Sequence, residues 1–135
     1  MKKKITIVPG DGIGKEVTAC GKKVLEQIAE CFGHEFIFDY AQIGHEAIEA
    51  TGSPLPDETL TKLRNTDAIL FGAVGADPRG NAMIPQGLIE TDILLRMRFE
   101  LDQYVNLRPV KLMPGVRSPL AGREPGDVDF YVVRE

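Results

Sequence analysis

Tryptophan is absent from this 135-residue chain, cysteine and histidine occur twice each, and positive charge is not in excess. Each shortage excludes something. Cys20 and Cys31 fall eleven residues apart on one helical stretch, a placement that disulfide geometry disfavours. They are read as free thiols, buried or half-buried as free cysteine usually is. His34 and His45 stand in polar surroundings without a second ligand, which points to surface roles and no metal site. A net charge of −4 leaves no basic face of the kind nucleic acid attracts, so no nucleic-acid partner is expected. The apolar segment behind Lys2-Lys3-Lys4 is only about four residues, against roughly 7–15 for a signal peptide and about 18 for a membrane span. A cytoplasmic chain with no membrane partner is the expectation.

What is present suits a folded domain. The apolar share of 43% and the charged share of 27% are ordinary for a globular chain, and one of this size buries roughly two-thirds of its extended surface. β and α signals alternate. Ile5-Thr6-Ile7-Val8 reads as a buried strand closed by Pro9-Gly10-Asp11-Gly12. Lys15 to Cys31 follows as a helix with an apolar stripe of Val17, Cys20, Val24, Ile28 and Cys31. Phe36 to Tyr40 reads as a strand, His45 to Ala50 as a short helix, and Asp57 as the start of a helix carrying Leu60 and Leu63. Ala68 to Val74 is nearly all apolar, as a strand covered on both faces should be. A loop with Gly75, Asp77, Pro78, Gly80 and Pro85 precedes a helix from about Leu88 to Leu101. Strands are expected at Tyr104 to Leu112 and Val128 to Val133, joined by a polar connection. The fold class is therefore α/β, a largely parallel sheet with flanking helices. The apolar strand at the carboxyl end reads as the front part of a longer, incomplete architecture.

Gly10-Asp11-Gly12-Ile13-Gly14-Lys15-Glu16 lies where phosphate-binding loops occur, but it matches neither standard pattern. The dinucleotide fingerprint would need glycine at Lys15, and a Walker loop would need glycine at Pro9 and Ser or Thr at Glu16. Glu16 would also repel a phosphate at that helix start. The alternative reading of this segment is a tight strand-to-helix reversal.

Three arginines stand out. Arg98 lies near the end of a helix, Arg108 lies in the strand that follows, and Arg134 ends the last strand. Guanidinium groups are fixed cations whose planar donor forks match carboxylates in pairs, so three converging would hold a small di- or tricarboxylic acid. Asn106, Arg108 and Val110 share one face of their strand. Arg64 and Arg96 are read as solvated or ion-paired surface residues.

Taken in order, Ile7-Val8-Pro9-Gly10-Asp11-Gly12-Ile13-Gly14, Phe71-Gly72-Ala73-Val74-Gly75, Asn106-Leu107-Arg108-Pro109-Val110-Lys111 and Val133-Arg134-Glu135 extend over the whole chain. The chain resembles the isocitrate/isopropylmalate dehydrogenase family of β-decarboxylating dehydrogenases. The resemblance implies that Arg98, Arg108 and Arg134 clamp the carboxylates of a substituted malate, a small 2-hydroxy dicarboxylate. It implies NAD as cofactor, with Ile13 and the loop from Gly75 through Asp77 to Glu90 near the nicotinamide half. Residues 1–100 would begin the dinucleotide-binding domain, and residues 101–135 the second domain, for substrate and dimerisation. Isocitrate members place a serine and an asparagine on the helix before the first arginine, where this chain has Asp92 and Leu94, with Leu95 beside them. The leucines suit an isopropyl group, so 3-isopropylmalate and leucine biosynthesis are expected, with tartrate or D-malate as the alternative. A homo-oligomer is expected too. The family's lysine base, tyrosine acid and the aspartate ligands for Mg2+ or Mn2+ cannot be placed within residues 1–135, so no catalytic or metal residue is assigned and the isolated chain is expected to be inactive. Two other readings stand beside this one: a noncatalytic protein that self-associates through open sheet edges, and an unrelated small nucleotide-binding module.

Overall fold

The computed structural model describes residues 1–75 and 89–134, with the backbone alone at residues 89 and 90. The chain forms two compact units, Met1–Leu101 and Asp102–Glu135.

The first unit is built on three strands, β1 (Lys2–Gly10), β2 (Glu35–Tyr40) and β3 (Ala68–Ala73). They pair in the order β2-β1-β3 and all run parallel. The central place of β1 explains why Ile5, Thr6, Ile7 and Val8 are buried in succession, without the alternation of a half-exposed strand. Buried Thr6 is satisfied by donating to the Thr66 hydroxyl at 3.1 Å, which itself donates to the Lys4 carbonyl at 3.0 Å. Helix α1 (Gly14–Phe32) links β1 to β2, while α2 (His45–Thr51) and α3 (Asp57–Arg64) carry the chain back to β3 on the other side of β1. The expected helix before Leu101 is present. It winds as a π-helix over Ile89–Leu95 and as α4 over Arg96–Glu100. Ile93 and Met97 enter a core made with Val8, Ile43, Leu55, Leu60 and Leu63. Among the described residues no helix is long and apolar enough to cross a membrane.

Helix α1 is seated on a face other than the expected one. Gly14 and Thr18 are buried and Gly21, Leu25 and Ala29 are half-buried, whereas Val17 and Val24 are 49% and 59% exposed. The reason is shape. A Cβ at Gly72 would stand 2.2 Å from the Pro9 carbonyl oxygen and 2.9 Å from that of Gly14, and a Cβ at Gly14 would stand 2.0 Å from the Pro9 oxygen. Backbones this close admit only the small-residue face, leaving the apolar stripe to solvent. Cys20 and Cys31 are consequently exposed free thiols, not buried or half-buried ones.

The second unit holds β4 (Asn106–Lys111) and β5 (Asp129–Arg134). These pair antiparallel, from Asn106 opposite Arg134 to Lys111 opposite Asp129, so they depart from the parallel arrangement of the first unit. Parallel pairing needs a crossover of a dozen or more residues, usually a helix. Residues 112–128 instead form turns, with Val116 N–H donating to the Met113 carbonyl and Asp127 N–H to that of Glu124. Pro109 is tolerated because both strands of a ribbon are edges. All six residues of β5 are exposed.

Candidate functional site

In the first unit the chain leaves β1 toward β2 on one side, and β3 lies on the other. The crevice beyond the carboxyl ends of β1 and β3 is therefore a topological switch point, where open α/β sheets collect ligands. Gly10, at φ +70, lies so near β3 that a Cβ would stand 2.1 Å from the Ala73 carbonyl oxygen. Asp11 N–H then donates to that oxygen at 2.7 Å, and Gly14 N–H donates to the Asp11 carbonyl at 2.9 Å. Ile13, which precedes α1, is 59% exposed. Gly75, exposed beyond β3, donates its N–H to Asp11 Oδ2 at 3.4 Å. Two expected cofactor-side residues, Ile13 and Gly75, thus follow the ends of adjacent strands and are tied through Asp11.

Sequence reasoning gave Asp11 no role. Its Oδ1 also accepts the His45 N–H at 2.8 Å, capping α2 from 34 positions away. The signal was available. Gly44, the N-cap of α2, has no side chain with which to cap, and an acidic residue in a glycine turn invites the question of which donors it serves.

Beside this turn, a cleft of about 310 Å³ opens at the ends of β1 and β2, lined by residues that include Pro9, Lys15, Tyr40, Gln42 and Glu46. Lys15 and Glu46 form an ion pair across it. The hydrogen bond that Lys15 donates to Glu46, followed by the charge of that carboxylate, raises the Lys15 pKa above its ordinary value, so the lysine stays cationic. Asp77 lies outside the described residues, and Glu90 falls in the π-helical segment with its side chain outside them.

The arginines divide between the units. Arg98 sits half-buried in α4 of the first, while Leu94 and Leu95, each 40% exposed, precede it on the same helical run. Arg96 and Arg64 are engaged elsewhere: Arg96 pairs with Asp57 and donates to the Leu55 carbonyl at 2.8 Å, and Arg64 pairs with Glu100.

Arg108 and Arg134 belong to the second unit, and the register brings them together. Asn106 is opposite Arg134 and Arg108 is opposite Val132, so Arg108 and Arg134 are diagonal neighbours on one face. Asn106 Oδ1 accepts the Arg108 Nε–H at 3.1 Å, which steadies that guanidinium without neutralising it. Among the described residues no ion pair engages Arg98, Arg108 or Arg134. Two like charges on one ribbon face, without an ion-pair partner among the described residues, repel each other, and a dicarboxylate would relieve that repulsion with paired donors. A divalent cation finds no comparable fit. Among the described residues no three His, Cys, Asp or Glu side chains are grouped to hold one.

The family model for isocitrate/isopropylmalate dehydrogenase matches residues 4–135. The chain is 51% identical over 132 residues to 3-isopropylmalate dehydrogenase of Bifidobacterium longum, covering 98% of this chain and 36% of the relative. Among solved structures it is similar to the TT0538 protein of Thermus thermophilus, with TM-score 0.75, 32% identity, and coverage of 99% of this chain and 24% of that one. It is similar also to isocitrate dehydrogenase of Methylococcus capsulatus, with TM-score 0.72, 29% identity, and coverage of 98% and 34%. The chain thus spans about a third of the length of the curated relatives it matches.

Proposed function

Because this chain belongs to the isocitrate/isopropylmalate dehydrogenase family, we propose that it supplies the carboxylate grip and part of the nicotinamide-side surface of an NAD-dependent β-decarboxylating dehydrogenase acting on 3-isopropylmalate in leucine biosynthesis. The observation that carries the substrate class is the placement of Arg108 and Arg134 on one ribbon face, with Asn106 bracing Arg108. Arg98, in the first unit, is assigned a substrate carboxylate on the family resemblance alone. Exposed Leu94 and Leu95 favour an isopropyl substituent over a third carboxylate, which two leucines would leave unsolvated. NAD, when bound, would supply the hydride acceptor for oxidation at the hydroxyl-bearing carbon. The arginines would bind the substrate carboxylates through paired donors, and Ile13 and Gly75 are assigned to the nicotinamide end on the family resemblance. Asp77 and Glu90 are assigned there with them. Ligands for Mg2+ or Mn2+ are assigned to no residue of this chain. The working enzyme is cytoplasmic and a homo-oligomer.

A chimera tests this. Residues 1–135 joined to the remaining two-thirds of the B. longum relative should reduce NAD with 3-isopropylmalate. Arg108→Gln or Arg134→Gln should raise KM at least tenfold, since a hydrogen bond to a charged group contributes about 1.5–3 kcal/mol. Turnover of D-malate or tartrate without isopropylmalate would overturn the substrate assignment. The 135-residue chain alone should reduce no NAD, and turnover by it would refute its assigned share.

A further inference from the structure

The carboxylate of Asp11 makes contacts that its own turn does not require. Its backbone already closes the reversal, through the N–H given to Ala73 and the carbonyl received by Gly14. Oδ1 nevertheless reaches the first residue of α2, and Oδ2 reaches the residue two beyond β3. One side chain therefore ties its own turn to two segments far apart in sequence. Gly44 makes room for it. That glycine sits at φ +74, and a Cβ there would stand 2.4 Å from Asp11 Oδ2. The carboxylate supplies the cap that Gly44 cannot, and the glycine permits the approach that the carboxylate needs. An anion-binding role for this turn is disfavoured, because Asp11 and Glu16 both bring negative charge to the start of α1.

We propose that Asp11 is a positioning residue, which fixes Gly75 and the start of α2 against the Ile13 turn and so forms the nicotinamide-side surface before ligand arrives. The inference rests on the reading of this crevice as the nicotinamide end of an NAD site. It acts through backbone amides, so Asp11 itself need not touch the dinucleotide.

The test is amide-resolved NMR on the 135-residue chain, with hydrogen exchange followed alone and shifts followed under millimolar NAD. Asp11→Ala should speed exchange at the Gly75 and His45 amides about tenfold or more, as expected for losing a hydrogen bond to a charged acceptor. Asp11→Asn keeps one acceptor oxygen and should protect only one of the two amides. Gly44→Ala should displace the carboxylate and loosen both with Asp11 still present. In the unaltered chain NAD should shift Ile13 and Gly75, and this response should vanish in Asp11→Ala and return in part in Asp11→Asn. A merely structural role would move the melting temperature and leave the NAD response of folded variants unchanged, which would overturn the proposal. If the unaltered chain shows no NAD response, the nicotinamide reading fails, and Asp11 is then judged on exchange: unchanged protection at Gly75 and His45 refutes it. If Asp11→Ala fails to fold, Asp11→Asn and Gly44→Ala decide by the same criteria.

Discussion

Replacing Gly72 by alanine tests whether shape or hydrophobicity seats α1 on the sheet. In a strand, glycine is less favourable than alanine by roughly 0.5–1 kcal/mol, so the substitution would ordinarily stabilise. Here the added Cβ would meet the Pro9 oxygen at 2.2 Å, the Gly14 oxygen at 2.9 Å and Thr18 Cγ2 at 2.9 Å. Two of these are backbone atoms that cannot rotate away. Relief requires α1 to lift from β3, in the manner of an overpacked core, where the loss is about 1–3 kcal/mol and occasionally more. With two rigid backbone clashes the loss falls at the upper end, about 3 kcal/mol, and the backbone gain leaves an expected net loss of about 2 kcal/mol. For a unit of this size that lowers the melting temperature by roughly 8–16 °C. Gly21 is the matched control. Its added Cβ would meet only the Leu70 side chain, at 3.4 Å or beyond, and alanine gains about 1 kcal/mol inside a helix. Thermal and urea melts should therefore shift down for Gly72→Ala and hold or rise for Gly21→Ala. If Gly72→Ala is neutral or stabilising, the close seating of α1 is wrong.

The exposed stripe of α1 gives a second prediction: Val24→Glu should change stability by no more than about 0.5 kcal/mol, and both Cys20 and Cys31 should react with a thiol reagent without denaturant. Acid provides another. The hydrogen bond from Lys62, aided by Tyr40 N–H, holds the Asp39 carboxyl below its ordinary pKa, and the hydrogen bond from Lys3, aided by Lys4 N–H, does the same for Asp67. Depressed folded values mean that both contributions are complete above the unfolded pKa of about 3.9 and are lost as pH falls through the lowered values. Carboxyl NMR titration should place both midpoints below the ordinary range, and Lys62→Met should move Asp39 upward with Asp67 unchanged.

The parts of the fold that follow from periodicity were legible in the sequence. Ile5-Thr6-Ile7-Val8 read as a buried strand, and β1 is the middle strand of a parallel sheet, whereas Ala68 to Val74, read as covered on both faces, is the edge strand β3 and only half-buried. Ile93 and Met97 stand at a helical spacing and both enter the core. What was misread turned on backbone proximity. The stripe from Val17 to Cys31 has the better hydrophobic pattern, yet Gly14, Thr18 and Gly21 form the seated face because Gly72 and Pro9 leave no room for larger side chains. Hydrophobic patterning carries no information about how near two backbones come. Strand direction was hidden for a related reason. The segment between β4 and β5 has the length of a crossover, and only its turns show that it is a return.

The same division runs through the candidate site. Alternation along β4 puts Asn106, Arg108 and Val110 on one face from sequence alone. The antiparallel register adds Arg134 to that face, opposite Asn106. Had the pairing slipped by one residue, Arg134 would have turned to the Leu107 and Pro109 side, away from Arg108. A ribbon with every residue of β5 exposed has little burial with which to enforce register. Keeping two like charges adjacent then works against the ribbon itself. Among the described residues no ion pair offsets that repulsion. Arg108 and Arg134 could be singled out as candidates from chain order, whereas Asp11, whose carboxylate bonds amides 34 and 64 positions away, became visible only when those amides were placed beside it.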